Sequence, residues 1–179
     1  MKHERLGRLT TASLLLAVGL ILPTLTGQIK EIGDSLLPMH LPVMLCGALC
    51  GGGYGALIGA VLPCLRSLLF GMPPIYPNAV WMAAELLTYG GVLGLLFKRR
   101  LIYSRRRLCI SLAISMVAGR IVWGVTKAAL LGVASKPFGL EAFLVGGFLD
   151  AIPGIILQWI LIPIIIEAHE RISLKRRIK

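Results

Sequence analysis

Five ionisable side chains interrupt apolar stretches of this sequence, where a charge is costly unless it has a partner or a ligand. Arg66, Glu85 and Lys127 each fall near one end of their apolar segment. Arg66 and Glu85 lie at similar depth on consecutive segments, so we expect them to pair. Arg120 and Asp150 fall near the middle of their segments and are expected to form a second ion pair. Each pair either fixes the register of two helices or includes a side chain that a ligand takes over on binding.

Histidine, amide and aromatic side chains accompany these charges. Two proline-rich stretches, 37–42 and 71–77, offer histidine, methionine and tyrosine side chains from stiff loops, since proline fixes the backbone. Trp81 precedes Glu85 by one helical turn, which would place an aromatic ring beside a carboxylate and suit a small heterocycle. The candidate ligand-binding residues are Met39, His40, Arg66, Tyr76, Asn78, Trp81, Glu85 and Lys127.

The composition places all of these side chains in a lipid bilayer. Of 179 residues, 56% are hydrophobic and 15% are charged, and the mean hydropathy is +0.83. Such a chain is neither disordered nor collagen-like. The net charge of +11 is concentrated near the start, at 98–107 and near the end of the chain, beside apolar stretches. Basic blocks in these places mark cytoplasmic loops, so no nucleic-acid partner is expected.

The apolar segments predict an all-α polytopic membrane protein that forms one integral membrane domain over residues 1–179. A membrane-spanning helix needs roughly 20 mostly apolar residues. An even number of crossings puts both ends and the central basic loop on the cytoplasmic side. The first segment resembles a signal peptide, but 24–28 lacks an A-x-A-like cleavage site, so we expect it to be retained. The six predicted spans are 10–26, 38–50, 54–70, 78–97, 108–131 and 140–167.

Missing motifs restrict the possible functions. The sequence has no GxxxxGK[ST] phosphate loop, no HExxH metal motif and no nucleophile motif. No histidine stands at ligand spacing from the four cysteines, so no metal or cofactor is expected. A passive receptor with an energised partner is therefore favoured. The alternatives are a standalone secondary transporter with a relay through Asp150, Glu85 and Arg120, and an intramembrane enzyme that uses His40, Asp150 or Glu85 as acid or base.

Two runs of the sequence resemble a known family. Leu37-Pro-Met-His-Leu-Pro-Val43 and Leu62-Pro-Cys-Leu-Arg-Ser-Leu-Leu-Phe-Gly-Met-Pro-Pro74, in a chain of this length with basic ends, resemble the substrate-binding S components of energy-coupling factor (ECF) transporters. The resemblance implies a high-affinity vitamin receptor in the bacterial plasma membrane. It also implies a partner module made of a transmembrane coupling protein and two cytoplasmic ATPases.

The same resemblance implies a docking surface and a ligand class. S components dock through small residues on the first helix, commonly an Ala-x-x-x-Ala pattern. The nearest match here is Ser13-Leu-Leu-Leu-Ala17, with Ala12 beside it. Small residues four apart let another helix approach closely in lipid. Arg66, Lys127 and His40 would suit a carboxylate such as pantothenate, whereas Glu85, Trp81 and Tyr76 would suit a vitamin B6-like or pyrimidine ring.

Overall fold

The chain folds into helices throughout the part that the structure describes. The structure is a computed structural model and describes residues 2–25, 35–97, 104–133 and 139–178. All regular elements in these ranges are helical, which confirms the all-α class. The helices are α1 (Lys2–Ile21), α2 (His40–Cys50), α3 (Gly52–Phe70), α4 (Val80–Leu96), α5 (Arg105–Val133), α6 (Leu140–Leu144) and α7 (Ile152–Ile178).

Five stretches of the described residues are long and apolar enough to cross a membrane. They are Glu4–Thr24, Gly52–Phe70, Ile75–Leu96, Arg105–Gly132 and Ile152–Ile172. The predicted second span corresponds to α2, which is apolar but has only 11 residues. It ends at Gly51, whose φ of 105° is a conformation that glycine adopts without strain, and α3 begins at the next residue. The membrane class is confirmed, whereas six crossings and the orientation stay predictions.

The predicted sixth span is not one helix, which corrects the sequence analysis. Residues 140–167 are divided into α6, a π-helical turn at Val145–Leu149, and α7. The break falls at Asp150 and Ala151, just before Pro153. Proline is favoured in the first turn of a helix because its missing N–H has no partner there in any case. Pro153 therefore favours a new start over a continuous helix.

Helix α4 lies at the centre of the bundle and packs against α2, α3 and α5. Glycines bring α2, α3 and α4 into backbone contact. A Cβ atom on Gly55 would lie 2.6 Å from the Cα of Gly47 on α2 and 2.6 Å from the carbonyl oxygen of Gly90 on α4. A side chain at any of these three positions would separate the helices. Helix α1 packs outside this group, against α2 and α3, and α7 packs against α2 and α5.

Large apolar side chains cover the outside of the bundle, as expected of a protein in lipid. On α5 the exposed stripe is spaced at helical intervals, and on α7 a second stripe recurs every fourth residue. The opposite face of α5 is buried and includes Leu108, Leu112 and Arg120. The burial pattern thus assigns one face of each helix to lipid and one to the interior. The exposed stripes are Ile110, Ile114, Val117, Ile121 and Val125 on α5, and Ile152, Ile156, Ile160 and Ile164 on α7.

Candidate ligand-binding site

A buried ion pair between α4 and α5 lies at the centre of the candidate site. The Nη1 atom of Arg120 donates a hydrogen bond of 2.9 Å to Oε1 of Glu85. The two side chains are 4% and 2% exposed. Gly119 allows this close approach, because a Cβ atom there would lie 2.7 Å from the ring of Tyr89 on α4. The pair links two neighbouring helices in the interior, where an unpaired charge would be strongly destabilising.

His40 brings a third helix to the same carboxylate. It is the first residue of α2, and its Nε2 atom lies 3.3 Å from Oε1 of Glu85, the oxygen that also accepts from Arg120. This close approach does not have hydrogen-bond geometry. The imidazole ring packs edge-on against Tyr89, with ring centroids 5.1 Å apart. We call His40, Glu85, Tyr89 and Arg120 the polar layer; each of the four is at most 3% exposed.

Both predicted ion pairs are wrong. The partner of Glu85 is Arg120, whereas the Nη1 atom of Arg66 donates to the carbonyl oxygen of Leu20. The guanidinium of Arg66 also lies 5.0 Å from the centre of the Phe70 ring. Asp150 is exposed and lies in the break before α7. Position along a segment is enough to select polar residues, but it does not say which way a side chain points around its helix.

An aromatic layer with one cation lies next to the polar layer. The Nζ atom of Lys127 is 4.4 Å from the centre of the Trp123 ring and 5.4 Å from that of Trp81. Trp81 is one turn from Glu85 on α4, and Trp123 is one turn from Arg120 on α5, so the two layers are adjacent. Phe143 of α6 extends the aromatic surface, with its ring 6.1 Å from that of Trp123. We call Trp81, Trp123, Lys127 and Phe143 the aromatic layer.

The remaining predicted residues are distributed between the interior and the surface. Met39 is buried in the hydrophobic core. Tyr76 is 57% exposed, and Asn78 is partly buried; both lie in the kinked turn Ile75–Ala79 that leads into α4, where the backbone of Tyr76 is extended. On α1, Ala12 is buried, whereas Ser13 and Ala17 are exposed. The small-residue pattern of α1 therefore has one member inside the bundle and two on its surface.

Sequence reasoning did not select Gln158, Tyr89, Trp123 or Phe143 as site residues. Gln158 is 1% exposed in the middle of α7. A signal for it existed, because Gln158 is a single amide inside the apolar run Ile155–Ile166, and the same criterion selected Arg120. The aromatic residues gave no such signal, since tryptophan and phenylalanine are ordinary in membrane helices and only packing shows which of them meet.

The residues of the polar layer are buried from the surface. A groove is present in another part of the bundle. This groove, of about 410 Å³, is near the start of α5 and is lined by Leu96, Ser104, Arg106, Arg107, Ile110, Ser111 and Ile114. None of the predicted binding residues lines it. The arrangement around Glu85 contains donors, a carboxylate, a cation and aromatic faces. These groups are of the kinds that form hydrogen bonds and aromatic stacking.

Comparison with known proteins agrees with these features. A family model described as ECF transporter, substrate-specific component, matches residues 7–166. No curated protein sequence and no solved structure matches the chain at a significant level. The family match extends from α1 into α7 and includes every residue of both layers. The chain therefore belongs to the family of substrate-specific components of ECF transporters, which are membrane transport proteins and not enzymes.

Proposed function

We propose that this chain is a receptor that binds a small vitamin, with a flat ring, an anionic group or both, between the aromatic and polar layers. The observation that supports this most strongly is the position of Lys127 against two tryptophan rings, directly beside the Glu85–Arg120 pair. Lys127 places a cation beside the rings of Trp81 and Trp123. A negative group on the ligand would be attracted to this ammonium group.

The aromatic side chains favour a ligand with a flat ring. Trp81 and Trp123 approach the same ammonium group from two helices, and Phe143 lies behind Trp123. Rings in offset or edge-on contact add to the energy of burial, and tryptophan does so more than other residues. Pantothenate supplies the anionic group without a ring, whereas vitamin B6-like and pyrimidine compounds supply the ring. Both kinds of compound remain candidates for the ligand.

The turn before α4 lies where we propose that the ligand enters. It overlaps the loop 71–77, which the predicted six-span topology would put on the extracellular side, and its Ile75 and Tyr76 side chains are 54% and 57% exposed. This loop is continuous with Trp81 at the start of α4. Because the polar layer is closed, binding is expected to require movement of the chain around it.

We further propose that the exposed face of α1 docks onto the coupling protein of an ATP-driven module. Ser13 and Ala17 are exposed and lie one turn apart, beside Leu14, which is 64% exposed. Ala12 packs inside the bundle, so it contributes to the fold and not to docking. Small residues on a lipid-facing surface let another helix approach closely.

Mass spectrometry of the purified protein in its native state tests the receptor function. A tightly bound vitamin should survive extraction and appear as an added mass, which fragmentation then identifies. The expected result is one ligand per chain, with a smaller retained fraction in Lys127→Gln. A protein that neither retains nor binds any vitamin under these conditions would contradict the proposal.

A separate experiment tests docking. Ala17→Leu should abolish copurification with the coupling protein and ATPases while ligand binding stays intact. The matched control is Ala129→Leu, the same change at an exposed position on α5. Loss of ligand binding in Ala17→Leu, or loss of the complex in both variants, would show that the α1 surface has no special role.

A standalone transporter gains no support from the described residues. Its relay would need Asp150 near Arg120 and Glu85. Arg120 is bonded to Glu85, and Asp150 is exposed in the break between α6 and α7.

A further inference from the structure

Three buried side chains carry polar atoms that have no hydrogen-bond partner among the described residues. The atoms without a partner are both ring nitrogens of His40, Nε and Nη2 of Arg120, and both amide atoms of Gln158. The three residues are 2%, 3% and 1% exposed. More than nine-tenths of buried polar groups in native proteins are paired, so an accumulation of unpaired ones in a single interior needs an explanation.

The three side chains lie on α2, α5 and α7, and α7 packs against both of the other helices. His40 and Arg120 meet at the same oxygen of Glu85. Gln158 is placed by its helix, because α7 packs against both α2 and α5. One turn before it, a Cβ atom on Gly154 would lie 2.6 Å from the carbonyl oxygen of Ser35 and 2.8 Å from that of Leu36. Gly154 therefore contacts the segment of the chain that leads into α2 and His40.

Gln158 belongs to the inner face of α7. Ile162 and Ile166 follow it at intervals of four residues, and both are fully buried in the core. The amide is therefore aimed into the bundle between α2 and α5. It lies on the side where the polar layer is, and not towards lipid.

The unpaired atoms are mostly donors. The Nε and Nη2 groups of Arg120 can only donate, and they form one edge of the planar guanidinium while Nη1 is occupied by Glu85. The amide of Gln158 both donates and accepts, and so does a neutral imidazole. A planar group with two adjacent acceptors fits the guanidinium edge. A carboxylate has this geometry, because its two oxygens accept in parallel.

We propose that Gln158 determines substrate specificity by binding, together with the Nε–Nη2 edge of Arg120 and the ring of His40, a planar acceptor-rich end of the ligand. This inference rests on the proposed receptor function and adds to it the orientation of the bound ligand. The acceptor-rich end enters the polar layer first, and the rest of the ligand stays against the tryptophans.

Matched pairs of probes test this inference by titration calorimetry on the purified full-length chain. Pantothenate is compared with pantothenol, in which an alcohol replaces the carboxylate, and pyridine-3-carboxylate is compared with pyridine-3-methanol, which carries the same replacement on a ring. We expect the wild type to bind the acceptor-bearing member of at least one pair at least tenfold more tightly than its counterpart.

Gln158→Leu, which keeps the size of the side chain, should weaken the preferred probe about tenfold, the loss expected for one or two hydrogen bonds in a buried site. It should not lower the melting temperature of the ligand-free protein, because it removes an unpaired buried amide. Gln158→Met provides a second variant of similar length. The control is Ser115→Ala, which removes a fully buried hydroxyl that already donates to the carbonyl oxygen of Leu112. Its affinity should stay at the wild-type value.

The outcomes separate this inference from the function on which it rests. If the wild type binds a probe and both Gln158 variants bind it equally well, the specificity role is overturned while the receptor function stands. A lowered melting temperature with unchanged affinity would make Gln158 a structural residue. If the wild type binds none of the four probes, the acceptor-rich ligand is overturned, and the proposed function then depends on the mass spectrum of the purified protein.

Discussion

Helix α4 presents two neighbouring stripes that differ in the way they are packed. Leu86, Gly90 and Gly94 face α2 and α3, where backbones are in direct contact and no side chain could be added without a clash. Trp81, Glu85 and Tyr89 face α5 and α2, where the interior is polar. The first stripe packs by van der Waals contact alone. Around the second stripe hydrogen bonding is incomplete, since donors of Arg120 and His40 lack partners among the described residues.

This difference indicates which stripe is scaffold and which is site. Close glycine contacts give membrane helices a strong association that does not depend on a hydrophobic driving force. A rigid α2–α3–α4 unit can hold the polar layer in place even though that layer is under-bonded. We infer that stability comes mainly from the stripe with Gly90 and Gly94 and that the stripe with Trp81, Glu85 and Tyr89 binds the ligand.

The largest effect is expected from breaking the ion pair at one end. Glu85→Leu should lower the free energy of unfolding by about 3–5 kcal/mol, because it leaves the buried guanidinium of Arg120 without its carboxylate. Thermal unfolding in detergent measures this. The double variant Glu85→Leu with Arg120→Met should recover much of the stability but bind no ligand. A single variant as stable as the wild type would mean that the pair contributes nothing to the fold.

A smaller effect is expected in the glycine stripe. Gly90→Ala should cost about 1–3 kcal/mol through overpacking, since its Cβ atom would lie 2.9 Å from the Cα of Gly55. Gly53→Ala is the matched control, because nothing lies within 4 Å of a Cβ atom there. Differential scanning fluorimetry should show destabilisation of the first variant only. Equal melting temperatures would remove the distinction between the two stripes.

Arg66 sharpens the comparison, because the sequence suggested it as a ligand contact and the structure places it against α1. Arg66→Gln should lower stability by about 1.5 kcal/mol, through loss of the charged hydrogen bond to Leu20 and the contact with Phe70. Ligand affinity should not change. Arg66→Lys keeps the charge, and its stability should lie between those of the wild type and Arg66→Gln. Reduced affinity at unchanged stability would restore Arg66 to the binding site.

The smallest change in free energy is expected at Lys127. Lys127→Gln should weaken an anionic ligand about tenfold, or about 1.4 kcal/mol, with little change in the melting temperature. Calorimetry with the copurified vitamin measures the affinity. Arg8→Gln, which alters an exposed ion pair with Glu4, is the control and should bind normally. Unchanged affinity in Lys127→Gln would move the anion-binding role away from the aromatic layer.

Much of the site could be selected from sequence because polar residues in apolar segments are rare and have to face the interior. Glu85, Arg120 and Lys127 were selected on that basis, His40 from its proline-rich stretch and Trp81 from its spacing to Glu85. The structure brings all five together. The choice of partners could not be derived in the same way. Position along a segment gives depth, whereas contact also requires the rotation of each helix and the identity of its neighbours.

The amino-acid sequence by itself determined the membrane class, the family and the polar residues that face inward. Hydropathy, charge placement and local sequence runs depend only on the order of residues. Tertiary packing alone decided that Glu85 bonds to Arg120, that Asp150 lies in a break, and that Gln158 is buried on the inner face of α7. Glycine contacts set how closely the helices approach and how they are rotated, and those two quantities decide which side chains meet.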